Sequence, residues 1–413
     1  GEGHAVLSGK SPMNPSGVGC GAFAPLLVIG FVIQCLVLLI IILQPFEANA
    51  ITLRETYSSA AIGGVTALFH LASQKEVVIG TKRGLIYVVR DLSETQPFRD
   101  KWARRTLLSE QPIQKSTCST PQQQSFPIYC IDSNPDGSTL FCGAGDRQVA
   151  VWNRQQDDVS GKSLVKSQSL GPHTGWVKDL EVDAQHQLVH SIGCNCIETW
   201  CWPPSGEEWV HKRKTTIESS PIAGCTLSSD LLCLQRVAFG KELEQRILAG
   251  GVDGRIHVWE SGTMNHIGSF AAHSGRVNAL SFLPQRELVL SGGSDGRLLG
   301  WDSRHLSAVS EPVVSWNFGD QVRITALSHV THEADTIVLV GTNVGEIIVV
   351  ELRDDHDESQ SQRLKLENDT AIYSFCPLPT AFGSMEVLVG HANGICVLEL
   401  GEEYHHQNGA SDP

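Results

Sequence analysis

The chain has 413 residues, 41% of them hydrophobic and 18% charged, which is the profile of a folded globular protein and excludes a disordered or fibrous one. That length is large for one ordinary core, so the sequence implies either several domains or a repeat architecture that spreads the core out. A formal net charge of −14 disfavours nucleic acid as a partner, because gripping phosphates by counterion release needs a basic excess.

Residues 1–25 read as a disordered segment. The stretch PLLVIGFVIQCLVLLIIILQPFEANA (25–50) follows, apolar from Leu26 to Leu43 except for Gln34. Eighteen helical residues rise about 27 Å, enough to cross a hydrocarbon core. Residues 26–44 therefore read as a transmembrane helix or as the hydrophobic region of a signal peptide. Pro45 and Ala48-Asn49-Ala50 resemble a breaker and a small-residue cleavage site. Against export stand the length of the run and the lack of a basic flank, since only Lys10 precedes it. The cysteines weigh the same way. Of the 12, Cys130, Cys142, Cys376 and Cys396 sit inside apolar strand-like runs, where free thiols act as small hydrophobes. That suits a reducing compartment. The reading adopted is an uncleaved single-pass membrane anchor, with the rest of the chain on a reducing side, in cytosol or an organelle matrix. The alternative is cleavage after Ala50 and release into the secretory pathway or an organelle lumen.

From residue 51 onward one unit recurs. FCGAGDRQVAVWN (141–153), LAGGVDGRIHVWE (248–260) and LSGGSDGRLLGWD (290–302) share a small-residue cluster, an Asp, a turn residue, an Arg and an alternating strand ending in Trp. The Asp-to-Trp spacing is six each time: Asp146/Trp152, Asp253/Trp259 and Asp295/Trp301. Weaker copies occupy 77–91, 188–202, 338–352 and 387–400, each a strand, a tight Gly or Asn turn and a second strand. A further strand precedes each hairpin, at 65–71, 128–134, 176–182, 223–229, 276–282, 323–329 and 371–377. Seven units follow. An outer strand is expected after six of them. The seventh ends at Leu400, before a tail (401–413) that reads as disordered, and its missing strand is supplied by ITLRETYS (51–58). Such an N-terminal strand closes a ring and leaves no long exposed edge.

These units resemble the WD-repeat family of β-propellers, most closely at HSGRVNALSFLPQRELVLSGGSDGRLLGWD (273–302). The expected fold is all-β, a seven-bladed β-propeller over residues 51–400 closed by an N-terminal strand and preceded by one hydrophobic helix. The resemblance implies that His273, Ser291, Asp295 and Trp301 form a hydrogen-bonded structural tetrad. His173 in HTGWV matches His273. Ala249 stands where the fourth unit should carry Ser, and the first, sixth and seventh units lack Trp and Asp. With about 50 residues per unit, the period slightly exceeds the family's, and the excess falls in insertions, among them LQRVAFGKELEQ (234–245).

No catalytic residues are expected: His273, Ser291 and Asp295 belong to the repeat, and no GxxxxGK[ST], HExxH or GxSxG is present. A metal at His190, Cys194, Cys196 and Cys201 is set aside, since Cys-x-Cys is not the Cys-x-x-Cys knuckle and no second ligand pair is evident. In its place, Cys194 and Asn195 fill a turn in which Asn tolerates positive φ. No cofactor is expected. Arg147, Arg255 and Arg297 read as one equivalent position after the turn, with Lys82 and Arg83 near it in the first unit. Together with Trp176, Lys178 and Arg276 they form a candidate rim for a partner protein, one with acidic segments. The function expected is a membrane-tethered WD-repeat scaffold for protein–protein interaction. The competing reading is an enzyme with its site in the propeller channel.

Overall fold

The computed structural model describes residues between 51 and 400, apart from 59–62, 91, 93–97, 99–105, 108–125, 158–160, 203–208, 217–229, 240–243, 307–309, 333–334, 353–360, 367–368 and 379–384. The apolar run 26–44, the segment 1–25 and the tail 401–413 lie outside the described residues. Among the described residues no helix is long and apolar enough to cross a membrane.

The strands group into seven antiparallel four-stranded sheets. The innermost strands are Val65–Leu71, Ile128–Ser133, Val177–Asp183, Leu231–Phe239, Val277–Leu283, Ile324–His332 and Ile372–Leu378. Each is followed by two more strands and an outer one. In the seventh sheet the fourth strand is Ile51–Ser58, which runs antiparallel to Gly394–Leu400.

One innermost strand departs from the expected place. Residues 223–229 lie outside the described residues, and the strand of the fourth blade is Leu231–Phe239, in a stretch expected to be partly insertion. The cause is local. Only residues 240–243 separate this strand from Glu244–Gly251, so the two close as a hairpin, with Phe239 opposite Glu244 and Leu231 opposite Gly251.

Burial peaks at the second strands: the innermost strands, such as VTALFHL and IYSFCPL, are only partly buried. Second strands such as EVVIGT, TLFCGA, LVHSIG and LVLSGG are buried at every residue. Outer strands such as VHKRKTT and SQRLK are largely exposed. The sheets stack face to face, so side chains that alternate along one strand feed two interfaces. Val77 and Ile79 pack against the seventh blade, with Leu388 and Ile395, while Val78 between them packs against the second, with Ile131 and Leu140.

The recurring small-residue cluster has a packing cause. A Cβ on Gly341 would stand 2.6 Å from Ile372 Cγ2 of the next blade, and one on Gly80 would stand 2.7 Å from Ile128 Cγ2. The first β-branched residue of each following innermost strand fills that notch. The third blade breaks the rule with Ile192, and there the next strand starts with Leu231 and packs on it. Gly341→Ala is expected to lower stability by about 1–3 kcal/mol through overpacking. Gly268→Ala, whose Cβ would meet nothing within 4 Å, should stay within about 0.5 kcal/mol of wild type. Urea denaturation of both variants measures the contrast.

Candidate functional site

In the fifth blade His273 Nδ1 lies 2.9 Å from Asp295 Oδ1, and its Nε2 lies 2.8 Å from Ser291 Oγ. Trp301 Nε1 donates to the same hydroxyl at 2.9 Å. Asp295 Oδ2 also accepts the Ser274 amide, so the chain ties the loop to the hairpin turn and the third strand. Burial pushes the His273 imidazole below its usual range, so it is neutral at physiological pH. All of these atoms point into the blade. The arrangement anchors a loop and presents no nucleophile to solvent.

The other blades hold partial versions. The third has His173, Ser191 and Trp200, with His173 Nε2 2.9 Å from Ser191 Oγ and Trp200 Nε1 donating to it at 3.3 Å. Ser191 and Trp200 were not picked out in the sequence because the turn between them is one residue shorter than in the fifth blade. Trp152 and Trp259 are buried in equivalent places, but Cys142 and Ala249 stand where the serine should be. Their indole nitrogens accordingly have no partner among the described residues.

The hairpin turns and the loops entering the innermost strands lie on one rim. The amide of Lys82 donates to Gly64 O, that of Ser294 to Arg276 O, and that of Asn343 to Arg323 O. Inside this rim opens a cavity of about 940 Å³, lined by residues from all seven innermost strands. Lys82, Lys178 and Arg276 of the expected rim reach it, and so do Arg323, Tyr129 and Tyr373. Lys178 Nζ sits 3.9 Å above the Tyr129 ring and 4.7 Å from that of Trp176, and the two rings stack at 5.9 Å. Trp176 remains 53% exposed, an aromatic surface with a cation fixed beside it. Arg276 and Arg323 are aimed by one device: Ser294 Oγ accepts the Arg276 amide at 2.7 Å, and Asn343 Oδ1 accepts that of Arg323 at 2.7 Å. Arg323 precedes Ile324 as Arg276 precedes Val277, so RITAL beside RVNAL carried the signal.

The remaining rim residues do not reach the cavity. Arg255 turns outward, its guanidinium donating to the hydroxyl and carbonyl of Ser269. Arg83 lies against Gly63. Arg147 is not equivalent to Arg255 and Arg297. It has φ +68 and occupies the turn position of Gly254 and Gly296, so Gln148 holds the place of the other two arginines. A similar correction applies in the third blade, where Cys194, with φ +54, takes the left-handed conformation expected of Asn195.

Along the innermost strands, half-buried carboxylates bridge neighbouring blades. Asp132 Oδ2 accepts the Val182 amide at 2.8 Å, Asp179 Oδ2 that of Leu234 at 2.8 Å, and Glu181 Oε1 that of Arg236 at 3.2 Å. Burial pushes the Asp179 carboxyl up to about 7 and that of Glu181 to about 8, although the amides and Arg236 pull the other way. A carboxyl raised on folding holds a proton that the unfolded chain has released, so its stabilisation is complete below about pH 4 and is lost as pH rises through 8. Glu181→Gln keeps an oxygen for the Arg236 amide and removes the titration. Relative to wild type, the variant is expected to gain at least about 1 kcal/mol between pH 5 and pH 8. Urea midpoints at the two values decide it, and an unchanged difference would refute a protonated Glu181.

Residues 115–153 and 264–302 each match the family model described as WD domain, G-beta repeat. The second segment contains the complete tetrad, and the first ends one residue after Trp152. Among curated proteins, "Protein hir1" of Aspergillus terreus is 24% identical over 178 residues, 42% of this chain and 15% of that protein. "Protein hir1" of Emericella nidulans is 23% identical over 184 residues, 40% of this chain and 16% of that protein. "p21-activated protein kinase-interacting protein 1-like" of Danio rerio is 22% identical over 213 residues, 46% of this chain and 56% of that protein. The aligned segments thus span less than two thirds of each of these relatives.

Proposed function

Since the chain belongs to the WD-repeat β-propeller family, we propose that it is a non-catalytic scaffold whose channel mouth receives an acidic segment of a partner protein. The observation that carries this reading is the convergence of Lys82, Lys178, Arg276 and Arg323 on one cavity, with Tyr129, Trp176 and Tyr373 beside them. Basic side chains around a concavity focus the field and draw anionic groups, and aromatic rings supply apolar contact at little entropic cost. The Danio rerio relative is named for interacting with a kinase, which supports a protein as the ligand class.

Catalysis inside the channel is the competing reading, and the polar lining with the raised carboxyl of Asp179 gives it some support. Yet both oxygens of Asp179 are engaged, with the Leu180 and Leu234 amides, so this group cements strands together. A fluorescent peptide rich in Asp and Glu tests the leading reading. Binding is expected to weaken with salt, and to weaken at least about tenfold when Arg276 and Arg323 are both changed to Glu. Arg297→Glu, outside the cavity, should change it less than about twofold. Wild-type binding no tighter than that of a neutral peptide of the same length would sink the proposal.

A membrane tether and closure of the ring at its N-terminal strand belong to the same proposal. The uncharged run at 26–44 supports a single-pass anchor, and the pairing of Ile51–Ser58 with Gly394–Leu400 supports the closure. The free, buried thiols of Cys130, Cys142, Cys233 and Cys376 support placement on a reducing side. N-terminal sequencing of protein extracted from membranes is expected to find residues 26–44 retained. A start at Ile51 would instead make it a propeller released into a lumen or secreted.

A further inference from the structure

The third blade keeps the His, Ser and Trp of the tetrad but has lost its acid. Its hairpin turn is short, with Gly193 paired to Cys196, and no aspartate occupies it. The consequence falls on His173. In the fifth blade the corresponding Nδ1 bonds to Asp295, whereas His173 Nδ1 has no hydrogen-bond partner although its side chain is wholly buried. Neither tautomer resolves this. With Nδ1 protonated, a buried N–H lacks an acceptor. With Nε2 protonated, Ser191 Oγ accepts a hydrogen bond from it and donates its own to the Glu198 carbonyl at 3.5 Å, and the Nδ1 lone pair is left bare.

What faces that nitrogen is a set of metal donors. Cys196 and Glu198 alternate on the third strand, so their side chains leave the same face of the sheet. The His173 nitrogen, the Cys196 sulfur and a Glu198 oxygen all lie within 4.8 Å of one another, and all three residues are buried. Glu198 Oε1 approaches Nδ1 to 3.8 Å, too far for a hydrogen bond. We propose that His173, Cys196 and Glu198 bind a divalent metal ion, zinc by the character of the donors, with His211 of the outer strand as the fourth ligand.

A mixed nitrogen, sulfur and oxygen set suits four-coordinate zinc, whose donors stand about 2.0–2.3 Å from the ion and hence about 3.3–3.8 Å apart. Contraction from the present spacing needs only side-chain rotation. His211 Nε2 already lies 3.3 Å from Glu198 Oε2, and its side chain is 42% exposed, so it can turn inward. Lys214 Nζ now holds Glu198 Oε1 at 3.4 Å. Its stem reaches solvent from the same exposed strand, so the ion displaces it. On binding, the Cys196 thiol gives its proton to solvent. Thiolate and carboxylate then cancel the double charge of the ion, and no net charge is buried. Outer groups are in place as well: Ser191 holds the far nitrogen of His173, and the Thr174 hydroxyl lies 3.5 Å from Cys196 Sγ, positioned to donate to the thiolate.

This set differs from the one weighed in the sequence. Of His190, Cys194, Cys196 and Cys201 only Cys196 takes part. His190 turns its Nδ1 to Thr199 Oγ1 at 3.1 Å, and Cys201 lies at the far end of the strand.

The test uses the full chain, stripped with a chelator under reducing conditions and titrated with Co²⁺ and then Zn²⁺. One Co²⁺ per chain is expected, with tetrahedral visible bands and a thiolate charge-transfer band, displaced by Zn²⁺ binding at about 10 μM or tighter. Cys196→Ser should abolish the charge-transfer band. His211→Gln, on an exposed strand where the fold is not at risk, should weaken Zn²⁺ binding at least about tenfold. Three results would each overturn the site: Zn²⁺ affinity weaker than that limit, a charge-transfer band that survives Cys196→Ser, or unaltered affinity in His211→Gln.

Discussion

A four-stranded sheet has two faces, and in this chain each face is covered only by the sheet beside it. Seven apolar clusters result, and each draws its side chains from two adjacent blades. The cluster that joins Val65, Ile79 and Val89 of the first blade to Leu388, Ile395 and Val397 of the seventh brings the two ends of the repeat together. Magnitudes show why this stacking governs the rest. Burying one Val, Leu or Ile contributes about 1.5–3 kcal/mol, and each cluster buries at least five of these residues, the one between the sixth and seventh blades eleven. A hydrogen bond in a tetrad contributes about 1 kcal/mol net. The tetrad can therefore decay from blade to blade while the fold persists.

That hierarchy explains which parts of the fold were legible in the sequence. The Asp-to-Trp spacing, the glycine cluster and the alternation of Val and Ile all report on stacking, and they located six of the seven innermost strands. The failure in the fourth blade arose where two neighbouring segments both alternate and no notch residue distinguishes them. Hairpin geometry chose Leu231–Phe239. The slip at Arg147 has the same character. Counting from Asp146 to Trp152 fixes the strand but says nothing of which turn residue adopts positive φ, and Arg147 took the place that glycine holds elsewhere.

The candidate site was legible only in part, for a topological reason. A rim gathers residues that are far apart in sequence, and the sequence shows which belong to turns without showing which face the axis. Lys82, Lys178 and Arg276 were grouped with Arg147, Arg255 and Arg297 because all follow turns or precede strands. The structure separates them: Lys82, Lys178 and Arg276 line the cavity, whereas Arg147 and Arg297 do not reach it and Arg255 turns outward to Ser269. Of the three clustered donors in the third blade only Cys196 was weighed in the sequence, since a loop histidine and two strand residues meet only when the blade is folded.

Charge distribution connects the fold to its function. The chain carries a formal net charge of −14, yet four cations from the first, third, fifth and sixth blades meet at one mouth. Near them, the Asp179 carboxyl is raised towards neutrality by burial, which lessens the negative charge beneath the cations. Burial also pulls Lys178 below its usual range, and the adjacent rings of Tyr129 and Trp176 offer its ammonium a π-face. On the proposed reading, an acidic segment is attracted at the axis by these four cations while the net charge of −14 disfavours it elsewhere. Selectivity of this kind needs no large interface, because the unfavourable surfaces discriminate as effectively as the favourable one.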